Sequence, residues 1–430
     1  MTKQVRQAIT PTHILGSTGT AEGDNLGFRA VSDFYNVELR AQAEIVDWNQ
    51  HGLTIGRGAG AIANNTALGA NALCANTTGS DNTANGSFAL VSNTTGCFNT
   101  ATGVGALLCN TTGCCNTATG VNALCANTTG RDNTAVGREA LRSNTTGLSN
   151  TATGVAALLC NTNGRDNTAT GAQALCDNNG SRNTATGSFA LQRNTTGNDN
   201  TATGRNALLC NTTGCCNTAT GVAALLCNTT GCCNTATGAQ ALCANTTGSC
   251  NTATGREALR SNTTGNNNVA FGRFALNNST TGCNNIGIGA NAGRTGASPE
   301  GIVSITTESN RIVMGNDEHT CAQIKIAWTA TSDCRDKACF KPVAIGLDFV
   351  RALKPTEYQF KVGGRDSDKT DGKRRYGFLA QDVLPLEGDD PVIISADDPE
   401  KLQYTEAHMI PVLVKAIQEL AAEVESLKNA

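Results

Sequence analysis

A serine and a lysine five residues apart, Ser332 and Lys337, stand in the charged run Ser332-Asp333-Cys334-Arg335-Asp336-Lys337 of a chain of 430 residues. Serine is a weak nucleophile at its free pKa and becomes effective beside a base, and a lysine whose pKa is pulled down by desolvation is such a base. Five residues make about one and a half helical turns, so the two side chains meet if the segment turns. On an open stretch the same spacing is a polar surface pair, and spacing alone leaves both readings standing. The other reactive groups are 20 cysteines, most of them before residue 290. Carboxylates are sparse in that region: Glu139 and Glu257 stand apart among scattered aspartates, unlike the paired carboxyls of a glycan hydrolase.

The elements that must position these groups are set by a repeat. The unit N-T-A-T-G-x-x-A-L recurs in fourteen copies from Asn65 to Asn285, every 17 residues with a single 16-residue step. So strict a period marks a solenoid in which each rung contacts its neighbours. Thr-Ala-Thr alternates polar and apolar and predicts a short half-buried strand, and the glycine after it predicts a corner. The Ala-Leu pair gives a leucine column from Leu73 to Leu276. The N-T-T-G segments, such as those at Asn76, Asn144 and Asn262, are turn chemistry whose stacked amides hydrogen-bond from rung to rung. At a strand spacing of about 4.8 Å the units predict a rod of roughly 65 Å.

Two architectures fit this pattern. In one, a single chain winds its own left-handed β-helix; in the other, three chains pack their rolls around a shared axis, with the leucine and alanine columns partly at the interfaces. The expected fold is an all-β solenoid (β-roll or β-helix), homotrimeric, followed by a small α+β domain ending in a coiled-coil helix. The expected boundaries are an N-terminal cap or attachment segment over 1–51, the shaft over 52–297, a β neck over 298–331, and a C-terminal domain over 332–430 with its coiled coil at 407–428.

Most cysteines fall in two sets, one after the Ala-Leu pair (Cys74, Cys109, Cys125, Cys160, Cys176, Cys210, Cys227, Cys243) and one before the anchoring asparagine (Cys97, Cys114, Cys115, Cys215, Cys216, Cys232, Cys233, Cys250). They alternate with Ala, Ser, Arg and Asp, as small tolerated residues do, so free thiols are expected. Neighbouring rungs fall inside the ~4.4 to 6.8 Å disulfide window, which leaves ladder disulfides open. The spacing is not the C-x-x-C of a structural zinc site, and no metal or other cofactor is expected. With aromatics at 4% and 47 glycines, the repeat region has a thin core. A net charge of -3 gives no reason to invoke nucleic acid. The opening MTKQVRQAITPTHILG lacks the apolar core of a signal peptide, and no stretch reaches the roughly 18 apolar residues of a membrane span, so no membrane insertion is expected.

After Ser332 the sequence is charged and non-repetitive. Residues 344–353 have helical spacing closed by Lys354-Pro355, 356–362 read as a strand, and GGRDSDKTDGKRR reads as a hairpin or mobile loop. Residues 376–383 and 392–395 continue an α+β pattern. Ile410, Leu413, Ile417, Leu420, Val424 and Leu427 then follow at alternating spacings of three and four, a coiled-coil seam. Simple rules for such a seam favour a dimer, and the stripe would alternatively pack back on its own domain.

The N-T-A-x-G units resemble the head repeats of trimeric autotransporter adhesins, though the period here is longer and no outer-membrane β-barrel pattern follows. S-D-x-R-x-K at Ser332–Lys337, G-L-D-F-V-R-A-L-K-P at Gly346–Pro355, Y-G-F-L-A-Q-D-V at Tyr376–Val383 and the closing coiled coil resemble the intramolecular chaperone domain of phage tail spikes and fibres, the peptidase S74 family. That resemblance spans roughly residues 328–430. It implies an intertwined homotrimer and self-cleavage between Thr331 and Ser332, with Ser332 as the attacking hydroxyl and Lys337 as the general base. Asp333 and Arg335 would support by orientation or charge balance, Arg335 as a contact to a second subunit. Asp336, where many relatives carry an apolar residue, and the neighbouring Cys334 and Cys339 depart from the family pattern and bear on rate.

The implied protein is a virion fibre or spike assembled in the host cytoplasm, with no activity on external substrates. Its N-terminus would join a baseplate, tail or capsid protein, and its rod would meet a host receptor, a glycan among the candidates. A terminal domain of this kind would fix the alignment of three repetitive chains, which otherwise match after a slip of 17 residues at little cost. The alternative is a bacterial surface adhesin, or a carbohydrate- or surface-binding solenoid, with an uncleaved C-terminal trimerisation cap.

Overall fold

A computed structural model describes residues 48–50, 53–294, 305–316, 338–361, 368–389, 391–396 and 402–429. It divides into two compact units, the first holding most of the repeat and the second the C-terminal segment.

One rung serves for all. Thr151–Thr153 is a strand whose threonines are exposed and whose alanine is buried. It pairs in parallel and in register with Thr134–Val136 on one side and Thr168–Thr170 on the other. Repetition of this pairing builds a seventeen-stranded sheet. Ala152, Ala157 and Leu158 are 0% exposed and, with the nearly buried Ala156, form the rung's apolar core. Gly154 turns the corner at φ 136°, and a Cβ there would lie 2.5 Å from the carbonyl oxygen of Gly171 in the next rung, so this column admits only glycine.

Glycine is not the only residue that bends the chain. Ser149, Ala156 and Leu158 have φ of 55°, 56° and 52°, the left-handed region that costs an L-residue about 1 to 2 kcal/mol. Nearly every rung repeats these three positions, the buried leucine among them. The bonds between rungs offset that strain: Thr151 N–H to the Asn167 carbonyl (2.8 Å), Leu158 N–H to Ala174 (2.9 Å) and Cys160 N–H to Cys176 (2.8 Å) run one way, while Gly154 N–H to Val136 (2.8 Å) runs the other.

The 16-residue step has a local cause. At Asn178-Asn179-Gly180 the turn is one residue short, and the Oδ1 of Asn179 takes over as acceptor for Thr162, whose N–H and hydroxyl both donate to it at 2.7 Å. In the preceding rung a threonine carbonyl does this work, Thr145 N–H to Thr162 O at 2.9 Å.

Every leucine of the column, Leu73 through Leu276 at one position per rung, is fully buried by its own chain. Of the two architectures the repeat allowed, one chain therefore closes each rung, and the leucine and alanine columns are not shared with neighbouring chains. At the N-terminal end, Trp48–Gln50 and Leu53–Gly56 pair antiparallel, and Leu53–Gly56 pairs antiparallel with Thr66–Ala70. This hairpin covers an edge that a parallel stack would leave open. The remainder of the proposed cap or attachment segment, 1–47, lies outside the described residues. Beyond Asn285 a further rung, not legible as a repeat, is reached after 26 residues. There Ile286 N–H donates to the Arg311 carbonyl (2.8 Å) and Arg311 N–H to Asn285 Oδ1 (3.0 Å). Residues 298–304 and 317–331 of the expected neck, including Trp328, lie outside the described residues.

In the second unit, α1 (Leu347–Ala352) ends before Lys354-Pro355, shorter than the periodicity predicted. Thr356–Tyr358 and Arg375–Gly377 form the antiparallel hairpin that carries the charged glycine-rich loop. Then come α2 (Ala380–Glu387), a two-stranded pair of Ile394–Ser395 with Gln403–Tyr404, and α3 (Glu406–Asn429). Phe349, Val383, Ile393, Ile394, Met409 and Val412 form its core. The Glu387 carboxylate accepts the N–H groups of Val392, Ile393 and Ile394 at 2.8, 2.6 and 2.8 Å, fastening the end of α2 to the strand that follows.

Candidate functional site

Thr331, Ser332, Asp333, Arg335 and Lys337 all fall within 317–337, outside the described residues. What is described is the frame that follows them. The Leu347 N–H at the start of α1 donates to Glu419 of α3 at 2.7 Å. A Cβ at Gly346 would meet the Glu419 carboxylate. Lys415 Nζ lies 3.1 Å from Glu419, and Arg351 of α1 lies 3.4 Å from Glu423. The Leu347 N–H, helped by Lys415, holds the Glu419 carboxyl below the usual carboxylate range.

α3 carries two stripes. Met409, Val412 and Ala416 are buried and continue at the same spacing into Glu419 and Glu423, which reach α1. The seam identified by spacing is a different face: Ile410 is 62% exposed, Ile417 66% and Leu427 78%, with Leu413, Leu420 and Val424 also exposed. The coiled-coil stripe therefore does not pack back on its own unit. Sequence reasoning missed the inward stripe, although Met409, Val412 and Ala416 carry the same three-and-four spacing with smaller and less uniform side chains.

In the rod, Glu257 is 8% exposed and held by Arg256 at 2.9 Å and Arg260 at 3.5 Å, an ion-paired structural group. The anchoring asparagines form a second buried amide ladder beside that of the N-T-T-G turns: Asn150 Nδ2 donates to Asn133 Oδ1 at 3.1 Å and to Gly164 O at 2.8 Å. The cysteine sets each divide into two neighbouring columns rather than one fixed place. In one column the sulfur accepts an N–H from the rung before, Cys97 N–H to Cys114 Sγ at 3.2 Å and Cys215 N–H to Cys232 Sγ at 3.3 Å. Ser249 Oγ and Asn266 Oδ1 do the same, which explains why these residue types interchange there. All 18 described cysteines are free, and among the described residues no group of three His, Cys, Asp or Glu side chains is placed to hold a metal. No described helix is long and apolar enough to cross a membrane.

Residues 332–387 match the family model Peptidase_S74, described as the chaperone of endosialidase. The match opens at Ser332 and runs to the end of α2. No curated protein and no solved structure matches the chain.

Proposed function

We propose that this chain is a structural fibre or spike component of a virion, whose C-terminal domain directs homotrimer assembly and cuts itself off before Ser332. The observation that carries this reading is the family match beginning at that serine, with the exposed heptad face of α3 further along the chain. Homotypic packing of α3 would bury Ile410, Leu413, Ile417, Leu420, Val424 and Leu427 without disturbing the unit's own core, which uses the other stripe.

In the proposed step the Ser332 hydroxyl, its proton drawn by Lys337, attacks the Thr331 carbonyl carbon. The Thr331–Ser332 C–N bond breaks, the Ser332 nitrogen leaves as an amine, and water hydrolyses the resulting ester to restore the hydroxyl. Asp333 and Arg335 would orient the pair. Intact mass and denaturing gels of the full-length protein beside Ser332→Ala and Lys337→Ala test it. The expected outcome is a wild-type product ending at Thr331, a 99-residue fragment, and two uncut variants. An uncut wild-type chain would sink the peptidase step and leave the domain as a permanent cap. The N-terminal attachment to virion protein and a host receptor are further parts of this proposal. A second reading, a surface-binding solenoid or bacterial adhesin, draws support from the paired ranks of exposed threonines on successive strands, such as Thr151 and Thr153.

A further inference from the structure

Cys216, Cys233 and Cys250 each immediately precede an anchoring asparagine, so they occupy one column on three consecutive turns. All three are exposed and free. Their φ angles are 59°, 59° and 58°, so the three side chains leave equivalent backbones in the same direction. Cys233 N–H donates to the Cys215 carbonyl and Cys250 N–H to that of Cys232, both at 3.0 Å, which keeps the column in register. Adjacent turns, about 4.8 Å apart, fall inside the ~4.4 to 6.8 Å Cα window, and the Cβ atoms, at the same spacing, must draw together by a few tenths of an ångström to reach the ~3.5 to 4.5 Å of a disulfide. Two turns, about 9.6 Å at the same spacing, fall outside both.

We propose that this column is a disulfide-forming site in which Cys233 joins either Cys216 or Cys250, stapling consecutive turns when the protein passes from a reducing to an oxidising medium. The oxidant is a low-molecular-weight disulfide such as oxidised glutathione. The Cys233 thiolate attacks it, forming a mixed disulfide and releasing one glutathione thiolate; the thiolate of Cys216 or Cys250 then displaces the second. Two protein thiols are oxidised, one glutathione disulfide is reduced to two thiols, and the two protein protons pass to the glutathione thiolates. The third cysteine remains available to attack the new bond, so the staple moves by one turn through exchange. The neighbouring column is less free to react: Cys215 and Cys232 donate their thiols to the Thr213 and Thr230 carbonyls at 3.3 and 3.4 Å, and the Cys232 sulfur also accepts a backbone N–H. This inference does not rest on the proposed function.

The test treats full-length protein with oxidised glutathione, quenches with an alkylating agent, and maps thiols by fragmentation of the tryptic peptide 206–256, which has no internal lysine or arginine. Ser149 occupies the same column at φ 55°, so serine variants suit the fold. Wild type is expected to show Cys233 protected, Cys216→Ser a Cys233–Cys250 bond, and Cys250→Ser a Cys216–Cys233 bond. In Cys233→Ser both remaining column thiols should be alkylated, as should Cys233 in the Cys216→Ser, Cys250→Ser double variant. Alkylated Cys233 in oxidised wild type, a Cys216–Cys250 bond in Cys233→Ser, or Cys233 bonded outside its column would overturn the proposal.

Discussion

Asn150→Ala puts the amide ladder to a quantitative test. Asn150 is 0% exposed. Its Nδ2 donates to Gly164 O at 2.8 Å and Asn133 Oδ1 at 3.1 Å, and its Oδ1 accepts the backbone N–H and the Nδ2 of Asn167, both at 3.1 Å. After truncation Gly164 O keeps Asn161 Nδ2, Asn133 Oδ1 keeps the Asn150 N–H, and Asn167 Nδ2 keeps Gly180 O. The Asn167 N–H alone loses its only partner. An orphaned buried donor costs about 1 to 3 kcal/mol and each of the three other lost hydrogen bonds about 1 kcal/mol net, so the substitution should cost about 4 to 6 kcal/mol. A repeat array unfolds without a single global transition, so the loss is best read locally, by native-state hydrogen exchange. At about 1.4 kcal/mol per factor of ten, amides in the rungs around residues 150–167 should exchange at least about a hundredfold faster. Distant rungs should be unchanged, because each rung is stabilised by its neighbours. Acceleration below about fivefold, or the same acceleration along the whole rod, would refute the reasoning.

The two faces of α3 should separate by mutation. Ile417→Asp, on the exposed stripe, should leave the unit folded but dissociate any homo-oligomer in light scattering, whereas Val412→Ala, 4% exposed, should destabilise the fold by about 1 to 2 kcal/mol; an unchanged oligomer with Ile417→Asp would count against the seam. Because the folded Glu419 carboxyl lies below its ordinary value, its contribution is complete above the unfolded carboxyl pKa of about 4.3 and is lost as pH falls from there through the lower folded value. Leu347 N–H protection should weaken over that range in wild type and not in Glu419→Gln; identical pH profiles for the two would remove Glu419 as the cause.

Much of the rod was legible because its physics is periodic. Thr-Ala-Thr alternation gave the strand, and the leucine column required burial. What escaped was conformation unsupported by residue type: nothing in a leucine announces φ near 52°, and it is the closing of a small rung around Leu158 that forces it. Turn chemistry and rung-to-rung amide bonds were read only for the N-T-T-G asparagines; the anchoring asparagines form a buried ladder too, because the Asn167 N–H finds its acceptor in Asn150 Oδ1. In the C-terminal unit the larger apolar stripe was easy to see and the smaller one was not, although the smaller one makes the core. The Ser332 and Lys337 pair rests on motif resemblance rather than geometry, since spacing in a segment of unspecified backbone does not fix a distance.

A chain that closes its own rungs changes the problem an assembly domain has to solve. If three chains shared a roll, every leucine would depend on a partner and a 17-residue slip would occur inside the core. Here the column leucines from Leu73 to Leu276 are buried without partners, so in the proposed assembly slip would be confined to contacts between the outsides of finished rods. Those outsides repeat too: Val104, Val121, Val155 and Val222 recur at one position of the rung and remain exposed. Rods laid side by side therefore still match nearly as well after a shift of one rung. In the proposed assembly, a non-repetitive domain with an exposed heptad face would offer one alignment instead of many. Such a seam would be worth more to specificity than to stability, because it would distinguish states that the rods themselves leave almost degenerate. On that reasoning, disrupting Ile417 should yield rods that fold rung by rung but associate in mixed registers or not at all.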